Sequence, residues 1–239
     1  MPAPDDAVLV LDGLTKRFGG VVAVDGCSLA VRRARMTGLI GPNGSGKTTL
    51  FNLISGLLPP DVGEVRFAGE RIDGLPPHQI SARGIGRTFQ ITRIFRRMTC
   101  YENLLVGGRR FSAAERAERA QELLGRFRLD RFRDEPADHL SYGQQKLLEL
   151  ARALMGRPAL LLLDEPAAGV NPVVRAEILE HLRALQRDGM TIFIIEHDMQ
   201  FLMGACEHVV ALDHGEKVVE GSAERVRNDP RVMEAYFGR

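Results

Sequence analysis

The stretch "GPNGSGKTTL" constrains this chain more than any other. Gly41 is followed by four residues and then by Gly46, Lys47 and Thr48, the G-x-x-x-x-G-K-[ST] pattern. It follows the apolar run "TGLI" and leads into the helical "TTLFNLIS", so it predicts a strand, a glycine-rich turn and a helix. In that setting the loop residues Gly41, Pro42, Asn43, Gly44, Ser45 and Gly46, with Thr49, are expected to bind the nucleotide, the glycines letting backbone N–H groups wrap the β-phosphate. Lys47 reaches the β- and γ-phosphates of a nucleotide, and the Thr48 hydroxyl ligates Mg²⁺.

A second element fits the metal. "LLLLDEP" reads as a buried strand ending in Asp164, followed by Glu165. Asp164 is expected to bind Mg²⁺ through water, and Glu165 to orient a water for in-line attack on the γ-phosphate. Continuous apolar runs such as "LLLL" and "IFII" suit parallel strands buried on both faces. We expect strands at Gly38–Ile40, Ile85–Phe89, Ala159–Leu163, Thr191–Ile195, Val209–Leu212 and Lys217–Glu220. Val8–Leu11, Ser28–Arg33 and Glu64–Phe67, set among tight glycine turns, suit a small antiparallel sheet. Helices are expected at Thr48–Ser55, Pro172–Arg187 behind an Asn171 cap, and Asp198–Ala205. From Thr92 to Gly156 the texture becomes almost wholly helical, with capping boxes at Thr99…Glu102 and Ser112…Glu115.

Composition excludes several classes. The 32 basic and 31 acidic residues nearly cancel, and the arginines of "FRLDRFRDE" alternate with acids, so nothing marks a nucleic-acid footprint. Three cysteines without C-x-x-C spacing fit a reducing compartment and no zinc site. The start "MPAPDDAVLVLDGL" lacks a signal-peptide pattern, and no apolar run approaches the ~20 residues of a membrane span. Any membrane role is expected through a partner. Apart from His197, the histidines are expected at the surface.

"LSYGQ", at Leu140–Gln144, opens a further helix with a serine hydroxyl and free N–H groups, a second anion site. The glycine loop, "LSYGQ" and "LLLLDEP", in this order and spacing, resemble the ATP-binding cassette (ABC) ATPases over essentially the whole chain. Phe18 in "RFGG", Gln90 in "GRTFQ", "AAGVN" and His197 in "IIEHD" follow the same pattern. The resemblance implies an α/β P-loop NTPase fold with a mainly parallel core sheet, a small antiparallel β subdomain and an inserted helical subdomain. Residues 1–91 and 157–239 would form the core with its β subdomain, and 92–156 the helical part, all within one ABC ATPase domain. It implies that Phe18 stacks on adenine, that Gln90 touches Mg²⁺ or the water, and that His197 contacts the γ-phosphate. It also implies that two copies, or this chain and a sister ATPase, pair head to tail. Ser141, Tyr142, Gly143 and Gln144 would then face the ATP held by the partner. Tyr142 stands where the family pattern has glycine, and Asn171 where it often has Asp.

"GRTFQ", "MTCYENLLVG", "LSYGQQ", "DEPAAGVNP", "IIEHDM" and the tail "GSAERVRNDPRVMEAYFG" are similar to the ATPases of bacterial branched-chain amino acid importers. Urea importer and lipopolysaccharide-export ATPases resemble it too, and a soluble non-transport ABC protein is the class-level alternative. The importer resemblance implies a peripheral subunit on the cytoplasmic face of the membrane. It would drive two permease subunits supplied by a solute-binding protein. Ile91, Ile94, Phe95 and Met98 in "ITRIFRRMT", beside Arg93, Arg96 and Arg97, are expected to border the groove for a permease helix.

Overall fold

A computed structural model describes residues 6–237. Along the chain come β1 (Ala7–Phe18), β2 (Val21–Arg32), β3 (Met36–Ile40), α1 (Lys47–Ile54), β4 (Val62–Phe67), β5 (Glu70–Arg71), α2 (Pro77–Ala82) and β6 (Ile85–Arg87). Next are α3 (Cys100–Leu105), α4 (Ala113–Arg126), two short 3₁₀ turns and α5 (Tyr142–Leu154). The remainder alternates: β7 (Leu160–Asp164), α6 (Pro172–Arg187), β8 (Thr191–Ile195), α7 (Met199–Ala205), β9 (His208–Asp213), β10 (Glu216–Ser222), α8 (Ala223–Arg227) and α9 (Pro230–Phe237).

The larger sheet has the order β10-β9-β3-β8-β7-β6. It is parallel throughout except for β10, which hydrogen-bonds antiparallel to β9 at one edge. The leucine run of β7 splits by the two-residue period of a strand. Leu160 and Leu162 enter a core with Leu50, Phe51 and Phe193, while Leu161 and Leu163 enter another with Leu148, Leu182 and Phe201. The first core binds α1 and the smaller antiparallel sheet, β2-β1-β4-β5. The second binds the helices between Cys100 and Met155.

Three local expectations differ from the structure. β1 and β2 run for 12 residues each. Register shifts on both sides of Leu14, next to the left-handed Gly13 (φ 57°), bend the pair and hide its length behind broken alternation. Residues 91–98 form no helix. The buried Asn103 side chain accepts the Phe95 N–H (2.8 Å) and donates to the Phe95 carbonyl (2.9 Å), so that backbone is satisfied without a helical ladder. His181 is buried, against the surface expectation. It lies on the inner stripe of α6 with Ile178, Leu182 and Leu185, 4.7 Å from the Phe127 ring. Both capping boxes and the Asn171 cap form as expected. Among the described residues no helix is long and apolar enough to cross a membrane.

Candidate functional site

Four neighbouring strands, β3, β8, β7 and β6, point their C-terminal ends to one edge of the larger sheet. Open parallel sheets bind ligands at this edge, above all where the chain order reverses. The glycine loop leaves β3 there. Gly46 takes φ 98° and caps α1 without any side-chain hydrogen bond, so the first-turn N–H groups remain for a ligand. A Cβ on Gly46 would run into the Ala23 carbonyl of β2, so a side chain here is excluded by both conformation and space. Ser45 and Lys47 are buried, while Asn43, Gly44 and Thr48 are exposed and Pro42 and Thr49 half-buried. The Lys47 ammonium donates to the carbonyls of Gly41 and Pro42, each at 2.8 Å, so it closes the loop on itself. Burial pulls its pKa below the ordinary lysine range, opposed by Glu165 and Asp164.

Asp164 ends β7 with its carboxylate buried, and burial pushes its pKa up against the opposing pull of Arg87. The Arg87 guanidinium is 3.4 Å away and also donates to the Ser55 hydroxyl at 2.6 Å. Glu165 follows in the left-handed region (φ 49°), its N–H held by the Ile195 carbonyl at 2.9 Å. A non-glycine residue there stores roughly 1–3 kcal/mol of strain and persists only when its surroundings hold it. Its carboxylate accepts from the Gln90 amide at 3.1 Å and lies 3.7 Å from His197 Nδ1. Gln90, Glu165 and His197, far apart in sequence, are thus one cluster.

Mg²⁺ takes hard oxygen donors and keeps several waters. The Thr48 hydroxyl, the Gln90 amide and the Asp164 carboxylate are donors of that kind. Asp164, buried with one long ion pair, has coordination to spare. Among the described residues no cluster of three His, Cys, Asp or Glu could hold a metal by itself. The donor set therefore fits a metal completed by phosphate oxygens and water.

Ser141 caps α5. Its Oγ accepts from the Gln144 N–H at 3.4 Å, and the Gln144 side chain accepts from the Ser141 N–H at 2.9 Å. The serine hydroxyl keeps its own hydrogen to donate. Gly143 packs against α6, where a Cβ would meet Val174 at 2.7 Å. Tyr142 is exposed, its ring beside Gly169. The Ser141–Gln144 contacts lie at the helix cap and α6, with no hydrogen bond to the glycine loop among those of the described residues. Phe18 is also exposed, at the end of β1 opposite Val21. That hairpin is fixed to the loop where Ala23 meets Gly46.

Several residues of this region carry no motif role in the sequence. Lys146 donates to the carbonyls of Gln90 (2.9 Å) and Glu165 (3.4 Å). Glu149, buried on the same helix, accepts from the Arg93 N–H at 3.1 Å, and Arg152 donates to the Arg93 carbonyl. The buried Glu196 accepts from the Ala167 N–H at 3.0 Å, and burial pushes its pKa up. Charged residues on the inner stripe of an otherwise apolar helix, such as Glu149 among leucines, were the available signal.

Known proteins resemble this chain over most of its length. The family model described as "ABC transporter" matches residues 24–168, and "Branched-chain amino acid ATP-binding cassette transporter" matches residues 216–239. The chain is 40% identical to the high-affinity branched-chain amino acid transport ATP-binding protein BraF of Pseudomonas aeruginosa, covering 97% of this chain and 98% of that protein. It is 38% identical to LivG of Escherichia coli, with the same coverage. Among solved structures, the ADP conformation of the cassette MJ1267 superposes with a TM-score of 0.89 at 35% identity, covering 98% and 99% of the two chains. The dimeric post-hydrolysis cassette MJ0796, bound to ADP and Pi, gives 0.79 at 28% identity, covering 90% and 98%.

Proposed function

This chain belongs to the ABC transporter family of ATP-hydrolysing cassettes, and on that premise we propose that it powers an importer of branched-chain amino acids from the inner face of the cell membrane. One observation carries the chemistry: the Glu165 carboxylate sits between the Gln90 amide and the His197 imidazole, on the sheet edge that bears the phosphate loop. The match of the tail and the names of the relatives carry the solute.

In this reading the amides from Asn43 to Thr49 surround the β-phosphate. Lys47 exchanges the carbonyls of Gly41 and Pro42 for β- and γ-phosphate oxygens. Phe18 offers its ring face to adenine. Glu165 takes the proton of the attacking water, and His197 and Gln90 hold that water and the γ-phosphate in line. Thr48, Asp164 and Gln90 would hold Mg²⁺, which supplies neutralisation of phosphate charge when bound. A second cassette, identical or a sister, completes each site by presenting Ser141 and Gly143 at the N-terminus of α5. That terminus carries roughly half a positive charge and favours triphosphate over diphosphate. The groove of Phe89, Arg93, Ile94, Phe95 and Arg152 is where a permease helix would dock.

The test is ATP-driven uptake in vesicles carrying this chain with its permease and solute-binding protein. Labelled leucine, isoleucine or valine should accumulate, and the Glu165→Gln variant should abolish it. Uptake of urea instead, or outward movement of lipid, would overturn the solute; a chain that hydrolyses ATP but neither co-purifies with a permease nor supports any uptake would overturn the transport role.

A further inference from the structure

The C-terminal helix reaches back to the root of the phosphate loop. Gly41, the first residue beyond β3, donates its N–H to the Tyr236 hydroxyl at 2.8 Å, across 195 positions of chain. Val232 is buried and Tyr236 packs against the same core, so the four-residue spacing turns both toward the protein. Burial pushes the Tyr236 phenol above its ordinary pKa, with the Gly41 N–H opposing. The hydroxyl therefore stays neutral at physiological pH. Gly41 itself is wedged, because a Cβ there would run into the Leu212 carbonyl and the Ser45 hydroxyl. Elsewhere α9 stands away from the loop. A cleft of about 840 Å³ is lined by Asn43 and Gly44 on one side and Arg231 and Ala235 on the other.

We propose that Tyr236 is a positioning residue for nucleotide binding: its hydroxyl anchors the root of the phosphate loop, and the C-terminal helix thereby sets ATP affinity without touching the nucleotide. The physical reason is the amide it serves. Gly41 is buried, and an unpaired buried N–H is expensive enough that the loop root must shift or recruit water when its acceptor is lost. The loop binds phosphate through a row of amides whose directions all follow from that root, and small misplacements weaken such preorganised contacts. Gln90, Glu165 and His197 hang from β6, β7 and β8 instead. The chemical step should therefore be spared. The inference rests on the nucleotide-site reading above, and the two fail separately.

The experiment is Tyr236→Phe in the full chain, which keeps the ring and its packing and removes the accepting oxygen. ATP affinity by titration calorimetry should fall about 3- to 10-fold, the scale of the net contribution of one hydrogen bond. KM should rise by a similar factor, with kcat within twofold and the melting temperature lowered by roughly 2–4 °C, the scale of one lost hydrogen bond in a chain of this size. Hydrogen exchange at the Gly41 amide should quicken. Incorporation of 3-fluorotyrosine at the same position retains the hydroxyl but makes it a poorer acceptor. It should shift affinity the same way by a smaller factor. Wild-type affinity with unchanged Gly41 exchange in Tyr236→Phe overturns the proposal. So does a fall of kcat as large as that of affinity together with a melting temperature lowered well beyond about 2–4 °C, which would mark a purely structural helix. Lys47→Ala run alongside separates the layers: unchanged affinity there sinks the site reading and leaves the Tyr236–Gly41 anchor to be judged by its exchange rate.

Discussion

α1 and α5 each offer an N-terminus to phosphate in the proposed site, yet they are capped in opposite ways. Gly46 caps α1 with no side-chain hydrogen bond and a left-handed backbone. Ser141 caps α5 with a complete capping box. The surroundings explain the difference. Leu50, Phe51, Leu53 and Ile54 bury α1 in the core, so packing holds it and its orphan N–H groups can wait for a ligand. The start of α5 is exposed at Ser141 and Tyr142. It must hold its shape while no partner is present. The first cradle depends on its own protein and is left open for a ligand; the second is self-sufficient and, in the proposed pairing, meets ATP only on a neighbour.

The largest effect should come from disabling the chemistry beside α1 while α5 is left whole. Glu165→Gln should reduce turnover by ~10²-fold or more, the scale for removing a positioned base, while ATP binding survives. With ATP persisting between cassettes, the variant should elute as a dimer when ATP is present and as a monomer without it. Near-normal turnover would take Glu165 out of the catalytic role.

Ser141→Arg attacks the other side. A cation at a helix N-terminus opposes the dipole and fills the space intended for the γ-phosphate. Each monomer should fold and bind ATP, and hydrolysis should fall almost to background. Mixing Ser141→Arg with Lys47→Ala makes heterodimers in which one composite site carries both defects and the other none. Activity should partly return, to the level of a wild-type/Lys47→Ala heterodimer. Activity in that control and none in the mixture would mean that Ser141 does not serve the neighbouring copy.

The two cradles also differed in how far sequence alone revealed them. The glycine loop was legible because Gly46 and Lys47 answer to local geometry and flank an obvious strand and helix. Parallel strands were legible in "LLLL" and "IFII" because burial on both faces removes alternation. Glu165 was legible at the end of its strand, whereas the roles of Gln90 and His197 came from the family resemblance and not from spacing, since only the order β8-β7-β6 brings them to Glu165. Tyr236 was invisible as a loop anchor, because its bond spans most of the chain and its four-residue spacing from Val232 marks only a buried helix face. His181 was misread because its type suggested surface, although its spacing from Ile178 and Leu185 already pointed inward. Residues 91–98 misled in the opposite sense. Their apolar spacing is helical, but the partners that satisfy their backbone come from Asn103, Glu149 and Arg152.

A smaller effect comes from the cap of α1. Gly46→Ala forces an alanine to φ 98° and pushes its Cβ into the Ala23 carbonyl. Destabilisation of roughly 1–3 kcal/mol is expected, read as a lower midpoint in urea, together with loss of ATP binding. Unchanged stability would show that the loop root moves freely and that α1 is not held as described.

The smallest effect separates the cap of α5 from its proposed contact with phosphate. Ser141→Ala removes the oxygen that accepts from the Gln144 N–H, which should cost about 1 kcal/mol. For a chain of this size that lowers the melting temperature by roughly 2–4 °C. Hydrolysis should fall only modestly, because the backbone N–H groups of the first turn remain. Ser141→Asp should invert the pattern. Aspartate caps as well as serine does and is favoured by the helix dipole, so the melting temperature should match or exceed wild type. A carboxylate facing the partner's γ-phosphate repels it, however, and hydrolysis should fall far below that of Ser141→Ala. Stability and activity would then move in opposite directions at one position, which a merely structural cap cannot do. Full hydrolysis in Ser141→Asp would show that no phosphate approaches this helix, and the likeness between the two cradles would be one of sequence only.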